Sequence, residues 1–450
     1  MTTLTAGAET SSGRQLSARS GNTPDRSVPL VGHRQLLAAV RRTLATGRRA
    51  LLCPAGGRVG TGATTAMVEF AHRHADDYDL AWWIRATDPE LVPDEMAGLA
   101  EALGVAGAED DAEAAAARAL QVLRRRDRYL LVFDDAATPH QLARFLPTGS
   151  GHVVIISPDP SWRVHATAHT VEPFTRAESV ALLCSRRPDL AVAEAERVAA
   201  VLEDLPTAVD PAAGLLARSG MSSEGFLGLV SHRDHGGAWD PVEATWRTVF
   251  DHLDVDDPVG LAVLTLVAWI GPDPVPAHLL VDHPDLLPAP LAGVARNRAV
   301  LAAHITDLGQ HGLISVTSAG LRLGRRPAAL LRARTAHVRN DRGDLADSAV
   351  RLLRAAVPDA PGAPDARGRW RSLLPLVLAV TDPARRLGAS VTDAAWLLRG
   401  ASAYLDMRGQ RDTAGMLARD ADDLDGLRRS AVPGAVAVRP GSQGYEVGQR

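Results

Sequence analysis

Along this chain, short runs in which every position is apolar alternate with longer segments whose apolar positions recur every three to four residues. The first long segment, residues 33–46, sets Leu36, Leu37, Val40 and Leu44 on one helical face and stops at Gly47. Residues 50–53 follow as a short apolar strand, then the glycine-rich PAGGRVGTGATT, then a helix over about 64–74. The pattern predicts further strands at 80–84, 129–133 and 152–156, and helices over roughly 91–104 and 111–126. Strands that are apolar on both faces and separated by helices predict a parallel sheet covered on both sides. Ligands of such sheets bind at the carboxyl ends of the strands, where the glycines, Asp134, Asp135 and Ser157 all fall. Trp82 and Trp83, adjacent on one strand, are expected to fill opposite layers.

From 175 to 230 the periodicity is purely helical, with Leu182, Leu183, Val198, Val201, Leu202, Leu215 and Leu216 as core candidates. Residues 241–334 predict three or four helices and a small hairpin, 313–316 and 321–323 about the turn Ser318-Ala319-Gly320, the outline of a winged helix. The chain is helical again from Asp347, with a helical hairpin expected over 394–428. No convincing internal repeat is present, since an array needs several units and one at most fits.

Composition narrows the chemistry. All 49 basic residues of the 450 are arginine, so lysine Schiff bases, lysine general bases and a phosphate-gripping lysine are excluded. Two cysteines, Cys53 and Cys184, cannot build a disulfide framework or a cysteine-rich metal site, which makes a reducing cytoplasm the expected location. Cys53 is expected as a small core residue. A net charge of −4 does not suit a chain that coats nucleic acid as a whole. The polar N-terminal stretch lacks the apolar region of a signal peptide, and the longest apolar run, 259–270, is too short to span a bilayer. His72 and His74, two apart on a helix, face different ways, so zinc is not expected.

Gly57-Arg58-Val59-Gly60-Thr61-Gly62-Ala63-Thr64 keeps the frame of the phosphate loop G-x-x-x-x-G-K-[ST], with Ala63 in place of the lysine. The alternative is a ligand-free glycine turn. A helix N-terminus can still attract a diphosphate without the lysine, whereas hydrolysis loses the charge that stabilises the transferred phosphoryl group. The run from Tyr129 to Asp135 fits the companion acidic strand, with Asp134 and the Thr64 hydroxyl placed for Mg²⁺ and Asp135 for orienting a water if the site is active. The alternative there is an aspartate pair capping a turn.

These residues resemble the bacterial NB-ARC (AP-ATPase) branch of the STAND signal-transduction NTPases, in particular the actinobacterial kind that continues into tetratricopeptide repeats. The resemblance runs from about Leu30 to Tyr404. Leu30-Val31-Gly32-His33-Arg34 resembles the family's opening motif beside adenine; AHRHADDYDLAWWIRA, YLLVFDDA, FLPTGSGHVVIIS, FTRAESVALL and LEDLPTAVDPAAGLL follow in family order. It implies an α/β P-loop NTPase domain (28–172, a parallel sheet with helices on both faces) and a helical bundle resembling ARC1 (173–236). A winged-helix-like domain (237–340) and a helical region resembling the start of a tetratricopeptide array (341–430) would follow. Residues 1–27 would be a disordered leader and 431–450 a disordered tail. The implied nucleotide contacts are Val31, Gly32, Gly57, Gly60, Gly62, Ala63, Thr64, Thr65 and Pro206.

The chain also departs from the family. Besides Ala63, Pro158 stands where an arginine sensing the γ-phosphate is usual. Asp210-Pro211 breaks the pattern after Pro206, and Leu323-Gly324-Arg325 stands where a histidine would meet the β-phosphate. The expectation is a signalling scaffold or switch that binds ADP or ATP weakly or not at all and does not hydrolyse it efficiently, with Mg²⁺ only alongside nucleotide and no zinc or other metal. Protein partners are expected at the C-terminal helical region, with oligomerisation dependent on nucleotide or signal; a membrane is not expected, nor DNA. Two alternatives stand beside it. One is an active ATPase using Arg58 or another arginine in the lysine's role. The other is a DNA-binding regulator using the cluster Arg322, Arg325, Arg326, Arg332 and Arg334.

Overall fold

Strands that are apolar on both faces need cover on both faces, and in the computed structural model of the protein they have it. The structure describes residues 20–26, 32–57, 60–107, 110–231, 239–288, 291–336, 345–363, 366–382 and 390–431. In chain order, the first part comprises β1 (Ser20–Gly21), α1 (Arg34–Gly47), β2 (Arg49–Pro54), α2 (Ala63–Arg73), β3 (Leu80–Arg85), α3 (Val92–Ala102), α4 (Ala112–Leu123), β4 (Tyr129–Asp134), the single turn α5 (Pro139–Leu142), β5 (His152–Ile156) and β6 (Thr167–Val171). Five strands pair in parallel in the order β3-β4-β5-β2-β6, and β1 extends the β3 edge by two residues. Two apolar layers cover the sheet: Trp83 is buried in the one that holds α1 and α2, and Trp82 packs against the other, as alternation along a strand requires. Cys53 is buried at the end of β2.

Two features differ from the sequence reading. β6 is an edge strand whose residues are mostly exposed, so Thr167–Val171 carries no apolar run to announce it. Residues 20–26, expected within a disordered leader, are seated: the Asn22 amide donates to the Trp83 carbonyl at 2.9 Å and accepts from the Trp83 N–H at 2.6 Å. The Pro24 carbonyl accepts from His72, Arg26 pairs with Glu69 at 3.3 Å, and Asp25 accepts from the Ser318 N–H at 2.6 Å. Polar residues held by hydrogen bonds leave no hydrophobic signature. Residues 1–19 and 27 of that leader, and the tail from 432, lie outside the described residues.

The helices α6 (Arg176–Arg186), α7 (Val192–Val201), α8 (Pro206–Ser219) and α9 (Ser223–Ser231) form the expected bundle, in which Val201 is only partly buried. A Thr175/Glu178 capping box starts α6. Next come α10 (Pro241–Asp256), α11 (Pro258–Ile270), α12 (His278–Asp282), α13 (Leu291–Ala295) and α14 (Arg298–Gln310), then the antiparallel hairpin β7 (Ser315–Thr317) and β8 (Gly320–Arg322), then α15 (Arg325–Thr335). Leu321 and Val275 exchange backbone hydrogen bonds at 2.8 Å, which fixes the hairpin on its own helices. The chain continues with α16 (Leu345–Ala356), α17 (Ala366–Val380), α18 (Val391–Met407) and α19 (Arg411–Ala431), the last two forming the helical hairpin expected from the sequence. One continuous apolar core runs from α6 to α19. No described helix is long and apolar enough to cross a membrane.

The C-terminal helices close back onto the first domain. Asp94 on α3 is buried and accepts from the Tyr404 hydroxyl at 2.6 Å, from Arg408 Nε at 2.9 Å and from Arg371 Nε at 3.4 Å. Arg371 also grips Glu101 with two bonds of 2.7 and 2.8 Å.

Candidate functional site

The glycine loop leaves β2 and enters α2 with Gly62 at its N-cap, where φ is 83°. Gly60 has φ of 102°, and a Cβ there would fall 2.2 Å from Thr207 Oγ1. Glycine is therefore required twice over at Gly60, by dihedral and by close approach. Thr207, in the first turn of α8, uses its hydroxyl to donate to the Gly60 carbonyl at 3.1 Å, so the bundle grips the loop directly. The first-turn amides of α2, at Ala63, Thr64 and Thr65, have no helical acceptor and offer an anion site. Ala63 itself is buried against the sheet and brings no charge.

The predicted acidic pair lies beside the loop. Thr64 Oγ1 donates to Asp134 Oδ1 at 2.9 Å, and the Trp83 indole donates to Oδ2 at 3.3 Å. Burial pushes the Asp134 carboxyl above the usual carboxylate range, against Arg322, Thr64 and Trp83, which favour its charged form. Asp135, at φ 57°, accepts from the Thr87 hydroxyl at 3.2 Å and is paired with Arg325, which reaches over from the start of α15. Arg325 also donates to Thr87 at 2.7 Å. The Ser157 hydroxyl is turned inward to the Ala136 carbonyl at 2.6 Å.

Two adjoining cavities complete the site. One of 360 Å³ lies between residues 60–65 of the loop, Asp134, Asp135 and Pro158 on one side and Arg322, Arg325 and Arg326 on the other. It shares Gly62, Thr65 and Thr207 with a second of 210 Å³, whose walls include His33, Phe174, Pro206 and Trp246. His33 is buried, donates from Nε2 to the Thr61 carbonyl at 2.8 Å and lies 5.0 Å from the Phe174 ring. At the far wall Arg186 pairs with Asp210 at 2.6 Å, which accounts for the Asp210-Pro211 departure. Burial raises the Asp210 carboxyl despite that partner.

Of the residues singled out from sequence, Gly60, Gly62, Ala63, Thr64, Thr65, Asp134 and Asp135 line the first cavity, and Pro206 lines the second. Gly57 ends a short turn after β2. Gly32 lines neither cavity; its φ is 132° and a Cβ would sit 2.4 Å from the Phe174 ring, so it seats that ring. Val31 and Arg58 lie outside the described residues. Most of the basic cluster is engaged internally: besides Arg325, Arg326 pairs with Asp240, Arg332 donates to the Ala268 carbonyl at 2.7 Å, and Arg334 pairs with Asp251 and with Asp254 at 3.2 Å. Phe174, Thr207 and Trp246 were not anticipated as site residues, because only the fold brings them to the loop.

A glycine cradle facing arginines, joined to a space walled by rings and proline, fits a nucleotide: a charged end and an apolar end with few polar anchors. A Mg²⁺ ion held by Thr64 and Asp134 would share its cavity wall with an arginine guanidinium, whose charge opposes it. Among the described residues there is no group of three or more His, Cys, Asp or Glu side chains able to hold a metal.

No family model matches the chain, and no curated protein matches it. Among solved structures it is similar to a STAND protein (signal transduction ATPase with numerous domains) with a tetratricopeptide-repeat sensor from Pyrococcus horikoshii. The identity is 12%, the match covers 89% of this chain and 59% of that one, and the TM-score is 0.50. The chain thus spans about three fifths of that protein's length. A Walker-type ATPase of Pyrococcus abyssi (12% identity, 68% and 98% covered, TM-score 0.34) and the ADP form of the Aeropyrum pernix ORC2 protein (13%, 67% and 93%, 0.29) are more distant. The first likeness shows a shared fold: a parallel sheet covered by helices, of the P-loop NTPase kind, followed by a helical region.

Proposed function

We propose that this chain is a regulatory scaffold or switch of the NB-ARC kind that binds ADP or ATP and does not hydrolyse it efficiently. The observation that carries this reading is the state of the two groups hydrolysis would need. Ala63 stands at the lysine position, and the Asp135 carboxylate, which would orient the attacking water, is tied to Arg325 and Thr87. A carboxylate held by a guanidinium and a hydroxyl is not free to turn toward water. The loop amides, the two cavities and the STAND-type fold support retained nucleotide binding.

In this reading residues 237–340 act as a winged-helix-like domain that closes the site, and residues 341–430 as the start of a tetratricopeptide-like region that receives a protein partner. The internal engagement of Arg325, Arg326, Arg332 and Arg334 leaves little of the basic cluster for duplex DNA.

The test is to denature freshly purified protein, identify any released nucleotide, and measure turnover with Mg²⁺-ATP. Bound ADP or ATP with turnover at background supports the reading. Robust turnover that disappears in Asp134→Ala overturns it.

A further inference from the structure

Resting on that reading, the arrangement of the hairpin bears on which cation serves the phosphates. β8 is short, and alternation along it decides where its side chains go: Leu321 is fully buried beneath the hairpin, and Arg322 lies on the opposite face. Arg322 lines the cavity shared with Thr64 and Asp134, as well as the two spaces that adjoin it. Its two arginine neighbours on that wall are already committed, Arg325 to Asp135 and Arg326 to Asp240. Among the described residues the Arg322 side chain has no hydrogen-bond or ion-pair partner, and its charge bears on Asp134.

The other side of the site is equally specific. Ala63 supplies no charge, and the Arg322 guanidinium lines the same cavity as Thr64 and Asp134, so a Mg²⁺ ion there would sit beside a fixed positive charge. Mg²⁺ demands near-ideal oxygen geometry and gives up water reluctantly. A guanidinium instead meets phosphate and carboxylate oxygens with a planar fork of donors and needs no such cage.

We propose that Arg322 is the resident cation of this site: it meets the phosphate oxygens of a nucleoside diphosphate from the wall facing the glycine loop, so that binding is independent of divalent metal. The site is then complete only while the hairpin is docked on the first domain, because its counter-charge arrives from there.

The test uses the full chain, ADP as the probe, and titration calorimetry in Mg²⁺ and in EDTA. Wild-type affinity is expected to agree within about twofold between the two conditions. Arg322→Met is expected to weaken binding in EDTA by about tenfold, the scale of one lost charge-assisted contact, and to make Mg²⁺ strengthen it. Asp134→Asn is expected to bind ADP in EDTA as well as wild type or better, which gives a second readout if Arg322→Met folds poorly. Wild-type binding that falls tenfold or more on chelation, Arg322→Met binding like wild type in EDTA, or loss of binding in Asp134→Asn would each overturn the assignment and leave nucleotide binding standing. Failure of wild type to bind ADP in either condition overturns both.

Discussion

Removing Asp94 strikes the joint between the two ends of the chain. In Asp94→Ala, Arg408 keeps its guanidinium in a place where its side chain is 6% exposed, and one of its terminal nitrogens already lacks a partner. Tyr404 loses the acceptor of its 2.6 Å bond, whereas Arg371 retains Glu101. Stranding one member of a buried ion pair costs about 3 to 5 kcal/mol, and an orphaned buried hydroxyl about 1 to 3 kcal/mol. The two overlap in one cluster, so the expected loss is about 4 kcal/mol rather than their sum. A chain of several domains does not unfold in one step, which makes a single melting temperature a poor measure. Hydrogen exchange read by mass spectrometry is the suitable assay, with faster exchange expected in α3, α17 and α18 together while β2 and β4 stay protected. Replacing the whole cluster by apolar groups, Asp94→Leu with Tyr404→Phe and Arg408→Met, should recover most of the loss, because burying charge is itself expensive. An exchange change in Asp94→Ala equivalent to under about 1 kcal/mol, or a triple variant no better than the single one, would refute the reasoning.

Three further outcomes follow from the site. Ala63→Lys should tighten ADP binding by about tenfold in calorimetry, yet leave turnover near background until Arg325→Ala frees Asp135; efficient turnover from Ala63→Lys alone would show that the Arg325 contact is irrelevant to hydrolysis. Burial pushes the His33 imidazole below its usual pKa, against Thr61 and Glu178, which favour the proton. A depressed histidine contributes stability that is full above the unfolded value of about 6.5 and is lost as pH falls toward the folded value. Protection factors at the glycine loop, corrected for the intrinsic pH dependence of exchange, should therefore fall between about pH 7 and pH 5.5, and His33→Gln should flatten that dependence. Gly60→Ala should destabilise the loop by about 1 to 3 kcal/mol, and adding Thr207→Ala should recover only the clash, leaving the strain of a positive φ, as judged by hydrogen exchange at the loop without nucleotide.

The sheet was legible because its central strands are runs of apolar residues: β4 is buried at all six positions, and among the described residues no other strand of that length is. The loop and the acidic pair were legible because their chemistry is local in sequence. β6 and residues 20–26 were not, since an exposed edge and a polar strap give no hydrophobic period. The cationic wall was visible only as composition. Arg322, Arg325 and Arg326 stand together in the sequence as a basic cluster, and nothing in their spacing says that one would meet Asp135, another Asp240, and a third the space above Asp134. His33 stands in the opening motif, but its place at the site is not legible there, because the bond to Thr61 depends on how the glycine loop turns.

Asp135 and Arg325 are 190 residues apart. During synthesis at about 5 to 20 residues per second, the carboxylate therefore leaves the ribosome about 10 to 40 s before its guanidinium exists. Through that interval the first domain carries an unpaired acidic pair beside an empty glycine cradle, and any nucleotide it meets encounters carboxylates without the arginines that later face them. If the proposed function holds, capture of nucleotide waits until the hairpin has been made and docks, and a fragment ending before the hairpin should not reproduce the ligand affinity of the whole chain.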